Sequence, residues 1–301
     1  MPTTPPPVRL LSGIGELVPA YDGFILDLWG VVHDGFAPFP GVLDVLERLR
    51  EAGKKTLFLS NAPRRQAVVA AGLERMGIAP DLYSGIHSSG EETWQALLAR
   101  SDPWYAALGS VCLHLGPERD RNMLEGLGLT EVTTPEAADF ILNTGVDRDE
   151  ETVADYEDLL ARGAANGVPM VCANADHEAL RGKTRVVCAG ALAQRYEALG
   201  GTVRVHGKPD PEIFKNALGL LGITDPRRAL VIGDSLDTDI RGAERTCIDA
   251  VLVTSGLHAA ELGLENPHKT LPEASRLHAL LKRKGRHPVA VIPSLTWQGS
   301  T

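Results

Sequence analysis

The chain has no surplus of positive charge. Thirty lysines and arginines face 39 aspartates and glutamates, a net charge of −9 over 301 residues. Nucleic acids and anionic membranes are gripped by basic patches, so neither is expected as the main partner. The balance says nothing against small anionic substrates, which are held by local fields. Cysteine is scarce: Cys112, Cys172, Cys188 and Cys247, with no CxxC spacing among them. No zinc ribbon or redox pair is visible, which leaves free thiols in a reducing compartment. No apolar run approaches the ~20 residues that cross a bilayer. The opening MPTTPPPVRLLSG lacks the basic-then-apolar pattern of a secretory signal. A cytoplasmic protein is expected. Internal repeats are absent, and low complexity is confined to a Pro/Thr-rich arm over residues 1–8, which reads as extended and poorly ordered.

What is present is ordinary soluble composition, 44% hydrophobic and 23% charged, in a length that suits one large or two modest domains. GFILDLWG, from Gly23, reads as a buried strand. GVLDVLERLREAGK follows with helical spacing at Val42, Leu43, Val45, Leu46 and Leu49, and stops at Gly53. KTLFLSNAP is a second buried strand and RRQAVVAAGLERMGI a second helix. The alternation returns late. PDPEIFKNALGLLGI reads as a helix capped by Asp210 with Pro211 in its first turn. RRALVIGDS is a strand, DTDIRGAERTC a helix and DAVLVTSG a strand. The C-terminal LKRKGRHPVAVIPSLTW carries a basic run, read as a solvated patch, and then an edge strand. Between these parts, SVCLHLG, DFILNTG, TVADYEDLLARGAANG and PMVCANAD form a further alternating set. The expected fold is α/β: a Rossmann-like parallel-sheet core in two parts, 1–105 and 188–301, with an inserted α/β domain at 106–187.

Four strand ends carry polar groups. FILD ends in Asp27, LFLSN in Ser60 and Asn61, VHGK in Lys208, and LVIGDSLDTD in Asp234 and Asp239. In an open parallel sheet, ligands bind outside the carboxyl ends of the strands, where residues distant in sequence converge. A carboxylate nucleophile there can attack phosphorus and split one hard displacement into two easier ones. Anion meets anion in that attack, so positive charge is required. A divalent ion held by Asp27 and Asp234 would supply it, and carboxylate oxygens suit Mg²⁺. Lys208 adds a fixed charge, and Ser60 a hydrogen bond to a phosphoryl oxygen. Singly, each residue has a plain alternative: a turn or helix cap for the aspartates and Ser60-Asn61, a solvated loop lysine for Lys208. Together, in this order, they argue for a site.

On these residues the chain resembles the haloacid dehalogenase superfamily. DLWGV, LSN, GKPDP and GDSLDTDI stand in that superfamily's motif order, over roughly residues 20–260. SNAPR, HGKPDPEIF and GDSLDTDIRGA resemble its large-cap class of sugar-phosphatase-like and nitrophenylphosphatase-like enzymes (subfamily IIA). The resemblance implies Asp27 as nucleophile and Mg²⁺ ligand, and the main-chain carbonyl of Trp29 and the carboxylate of Asp234 as further ligands. It implies Asp239 as an outer acid, Ser60 as the phosphate-binding hydroxyl and Lys208 as the neutralising lysine. CANADHEALRG and CAGALAQRYEALGG resemble the class's specificity segment and return helix. Asn174, Asp176 and His177 are therefore candidates for substrate contact, with a surface turn as the equal alternative. The implied substrate is a small phosphorylated metabolite, of which a sugar phosphate is a class-level example. A cap-to-cap homodimer is a further expectation of the class.

One position departs. The superfamily's phosphatases carry a second aspartate two residues after the nucleophile, which protonates the leaving oxygen and then activates water. Here that residue is Trp29, whose indole has no such proton to give. Three readings follow. The chain is an Mg²⁺-dependent phosphohydrolase using an aspartyl-phosphate on Asp27 and another acid, with His33 the first candidate and Asp34 the second; both also suit a polar flap turn. Or it is a slow or inactive phosphate-ligand sensor. Or it is a dehalogenase, a reading that the retained GD motif opposes.

Overall fold

The computed structural model describes residues 8–181 and 184–298. The expected N-terminal arm lies, apart from Val8, outside them. In chain order the strands are β1 (Arg9–Leu10), β2 (Gly23–Leu26), β3 (Lys55–Ser60), β4 (Gly85–Ser88), β5 (Val111–Leu115), β6 (Thr130–Val132) and β7 (Phe140–Asn143). They continue as β8 (Met170–Cys172), β9 (Glu178–Arg181), β10 (Thr184–Val187), β11 (Val203–Val205), β12 (Ala229–Gly233), β13 (Asp249–Val253) and β14 (Ala290–Ile292).

Contacts divide the chain into two compact units. The first takes in the described residues of Met1–Ser60, Ala70–Ile86 and Lys208–Thr301; the second takes in Asn61–Val69 and His87–Gly207. The first unit is built on a seven-stranded sheet of order β1-β14-β13-β12-β2-β3-β4. The pairings from β1 through to β3 are parallel. β2 and β12 are fully buried apolar runs, as strands covered on both faces must be. They lie side by side with Leu26 opposite Ile232. The chain winds outward from β2 through β3 and β4, then returns on β2's other side at β12. That reversal is the topological switch point, where crevices form in such sheets.

The helices follow their sequences. Val42–Glu51 buries Val42, Val45, Leu46 and Leu49 on one face. Asp44 sits in its first turn, with Arg48 and Arg50 in its last, matching the helix dipole. Pro211–Leu221 starts where expected: Asp210 accepts the Glu212 N–H at 2.8 Å, and Pro211 occupies the first position. Gly222, at φ 64°, ends it. Its buried Ile213, Phe214, Ala217, Leu218 and Leu221 join Ile25, Leu57, Val231 and Leu252 of the sheet in one core cluster. Each large apolar side chain so buried contributes about 1.5–3 kcal/mol.

Two local expectations are corrected. β14 is not an edge strand; it lies between β13 and β1, because Arg9–Leu10 adds outside it. The segment DTDIRGAERTC does not begin as an α-helix. It opens with a π-turn at Leu236–Ile240 before the helix Arg241–Arg245. A widened turn of this kind often marks a functional site, and here it carries Asp239.

The second unit holds a five-stranded parallel sheet of order β11-β8-β7-β5-β6 and the antiparallel pair β9/β10. Its extent differs from the expected 106–187. The helix Ala189–Ala198 buries Leu192, Ala193 and Tyr196 against Leu113, Ile141 and Met170, and β11 pairs with β8. On the other face, Leu97, Tyr105 and Leu108 pack with Cys112, Phe140 and Val171. Residues 188–207 and 87–105 therefore belong with this sheet. Among the described residues the four cysteines form no disulfide, and burial pushes the Cys112 and Cys172 thiols up to about 12. Among the described residues no helix is long and apolar enough to cross a membrane.

Candidate active site

The register of β2 and β12 delivers two carboxylates to one place. Asp27 follows β2, and its N–H donates to the Ile232 carbonyl at 2.9 Å. Asp234 follows β12. Asp239 reaches the same point from the π-turn. One carboxylate oxygen from each of the three lies within 4.8 Å of the others. Lys208, 2% exposed, brings its Nζ to 2.7 Å from Asp27 Oδ1 and to 2.7 Å from Asp239 Oδ1.

Main-chain donors fix these carboxylates. Leu28 N–H donates to Asp27 Oδ1 at 2.8 Å, Leu257 N–H to Asp234 Oδ2 at 2.9 Å, and Ser235 N–H to Asp239 Oδ2 at 3.2 Å. Two glycines make room. A β-carbon on Gly30 would fall 2.2 Å from Asp234 Oδ2, and one on Gly256 1.9 Å from it. Gly30 also holds φ +79°, a conformation that side chains disfavour. The Gly256-Leu257 contact was missed in the sequence; its signal is a glycine closing the apolar strand DAVLVTSG. So was His258, whose Nε2 accepts the Leu236 N–H at 3.3 Å.

One lysine does not balance three buried carboxylates. Burial, then the Asp27 charge, raises the Asp234 carboxyl well above its ordinary value and the Asp239 carboxyl to about 6. Clustered, desolvated oxygen donors with excess negative charge fit a hard divalent cation. The consequence for stability can be measured. A carboxyl whose folded pKa is raised stabilises the fold at low pH and loses that contribution as pH rises through the folded value. Without divalent cations, the melting temperature should fall as pH rises through about 6. Millimolar Mg²⁺ should remove that fall, because a bound cation stabilises the native state by mass action. Melting curves in EDTA and in Mg²⁺ at pH 5 and pH 8 check this; an Mg²⁺ effect equal at both would contradict it.

Ser60 ends β3 and is 2% exposed. Asn61, the next residue, is counted with the second unit, where its Nδ2 donates to Asp176 Oδ1 at 2.8 Å. Asn174 is buried, and its Oδ1 accepts the Asp176 N–H at 2.8 Å, shaping the turn. His177 is exposed, and its carbonyl accepts the Cys188 N–H. Thus the second unit joins Asn61, Asn174 and Asp176 in one network.

Trp29 packs on the loop after β2. A β-carbon on Gly35 would meet its Cη2 at 2.3 Å, and its ring stands edge-on to His33, centroids 5.3 Å apart. His33 does not suit the role of substitute acid. It is 4% exposed, its Nδ1 accepts the Gly35 N–H at 3.0 Å, and burial lowers its pKa to about 4. A neutral imidazole at physiological pH is a poor proton donor. Asp34 accepts the Phe36 and Ala37 N–H groups, which hold its carboxyl below the usual value. Both residues shape the flap turn.

Comparison with known proteins gives the family. Residues 24–130 and 82–245 match models of haloacid dehalogenase-like hydrolases, and 205–296 a related hydrolase-like model. Chronophin from Homo sapiens is 32% identical over 262 residues, covering 83% of this chain and 86% of its own. D-glycerol 3-phosphate phosphatase from Mycobacterium tuberculosis is 28% identical over 243 residues, covering 80% and 65%. The crystal structure of a haloacid dehalogenase-like hydrolase from Brucella suis is 30% identical, covers 95% of this chain and all of its own, and superposes with a TM-score of 0.79. With motif order, parallel-sheet core and carboxylate cluster in agreement, the chain belongs to the haloacid dehalogenase-like hydrolase family.

Proposed function

We propose that the protein is an Mg²⁺-dependent phosphohydrolase that cleaves a phosphomonoester of a small metabolite through an aspartyl-phosphate on Asp27. The observation that carries this is Lys208, held between Asp27 and Asp239 in a buried cluster completed by Asp234. Asp27 and Asp234, with the Trp29 main-chain carbonyl and Asp239 behind, would hold Mg²⁺, which when bound supplies positive charge to the phosphoryl oxygens. Asp27 attacks phosphorus. Lys208 offsets charge on the incoming phosphoryl group and keeps the nucleophile aligned. Ser60 hydrogen-bonds a phosphoryl oxygen. The second unit acts as a cap whose closure excludes water, with Asn61, Asn174, Asp176 and His177 as its candidates for substrate contact. A cytoplasmic location and a homodimer belong to the same proposal.

The names of the relatives support the reaction class. Phosphate release from a panel of phosphomonoesters, sugar and glycerol phosphates among them, tests it with Mg²⁺ and with EDTA. Mg²⁺-dependent release from at least one is the expected outcome. Release from none, together with tight Mg²⁺-dependent binding of a phosphorylated ligand, would favour the sensor reading, to which Trp29 lends its weight.

A further inference from the structure

An alkoxide is a poor leaving group. Displacing one from phosphorus near neutrality needs a proton donor within hydrogen-bond reach of the departing oxygen. The loop after Asp27 carries three side chains that could be asked for that proton, and each is committed elsewhere. Trp29 offers only an indole N–H, which does not ionise in this range, and its ring is seated over Gly35 and against His33. His33 is buried and accepts at Nδ1 from Gly35, so its one proton sits on Nε2 of a neutral ring. Asp34 accepts two main-chain N–H groups, bonds that favour its ionised form. The other groups of the cluster are each hydrogen-bonded as well. Asp234 and Asp239 accept from Leu257 and Ser235, Lys208 spans Asp27 and Asp239, and His258 accepts from Leu236.

Resting on the phosphohydrolase reading above, we propose that Trp29 restricts this site to phosphates whose leaving group departs as a stabilised anion. Such groups are aryl, enol or acyl oxygens, not alkoxides. In the first step an Asp27 oxygen bonds to phosphorus, and the bond from phosphorus to the leaving oxygen breaks with its electron pair going to that oxygen. A stabilised anion departs without a proton. In the second step water bonds to phosphorus, the Asp27–phosphorus link breaks, its pair returns to the carboxylate, and the proton passes to solvent. Trp29, at the position where that step would draw a base, has none to offer. The phosphorylated Asp27 therefore outlives the first step and accumulates during turnover.

The test compares substrates of nearly one shape and different leaving oxygens: nitrophenyl, phenyl and benzyl phosphate, each with the full chain and Mg²⁺. The wild-type kcat/KM should fall along that series, with benzyl phosphate at least about 10²-fold below nitrophenyl phosphate, the lower end of what general acid catalysis contributes. Rapid mixing with nitrophenyl phosphate should give a burst of one nitrophenol per site and an acid-trapped phosphoenzyme, absent in Asp27→Asn. Trp29→Asp should raise benzyl phosphate turnover by about 10²-fold and shrink the burst. Equal kcat/KM for benzyl and nitrophenyl phosphate with no burst would overturn the inference and leave the phosphohydrolase reading standing, since an acid from elsewhere would then be at work. No product and no phosphoenzyme from any of the three would overturn both. The substrate series needs only the wild-type protein, so it decides the matter even if Trp29→Asp fails to fold.

Discussion

Replacing Asp27 by asparagine should abolish phosphate release, by on the order of 10⁴-fold or more, the scale seen when a covalent nucleophile is removed. The amide keeps the shape of the carboxylate but cannot form the acyl-phosphate link. The substitution leaves the strand intact, because β2 is held by its own ladder to β12 and β3. It also removes one of three carboxyl groups whose oxygens lie within 4.8 Å of one another. Lys208 keeps Asp239 as its partner at 2.7 Å. Loss of the Asp27 pair and relief of repulsion offset each other, so the melting temperature should move little. Activity and melting are measured on the same preparation. Retained turnover in a folded Asp27→Asn protein would remove Asp27 from the mechanism.

Lys208→Met has the second large consequence, and its signature lies in stability. The lysine is 2% exposed and bonds to two carboxylates. Methionine fills similar volume but leaves three buried carboxylates facing one another. Removing one partner from a buried ionic cluster costs about 3–5 kcal/mol. The loss should be largest in EDTA and smaller in Mg²⁺, because a divalent cation takes over part of the neutralisation. It should also depend on pH in a fixed direction. Asp239 already titrates near 6 while Lys208 lowers it, and removing the lysine lets it rise further. Protonated carboxyls do not repel, so the variant should approach wild type below that range and fall away as pH rises through it. Denaturation at pH 5 and pH 8, with and without Mg²⁺, measures this. An identical loss under all four conditions would assign Lys208 a packing role and no electrostatic one. Turnover should not return with Mg²⁺, since the cation does not occupy the position of the ammonium.

Much of this site was legible before any coordinates. Asp27 and Asp234 each follow a continuous apolar run, the mark of a strand buried on both faces. Parallel sheets gather such ends at one edge. Other features were not legible. The helix Ala189–Ala198 has an apolar face, but periodicity shows only that a face is buried, not which sheet it covers. It covers the five-stranded one, so the inserted unit runs past residue 187. β14 looked like an edge because its partner, β1, is two residues long and carries no strand signal of its own. His33 has the residue type of an acid–base group. Burial and the Gly35 N–H, neither visible in local sequence, hold it neutral.

Local pattern, then, was enough for strands, helices, motif order and the residue types at each strand end, because those depend on neighbours along the chain. Direction and company were settled only by folding. The register of β2 against β12 sets Asp27 beside Asp234, and the π-turn brings Asp239 within reach of Lys208. Gly35, by lacking a β-carbon, lets the Trp29 ring lie down on the flap. Burial and charge at those points come from residues far away in sequence, and they determine which carboxylates stay ionised and whether any group is left to give a proton.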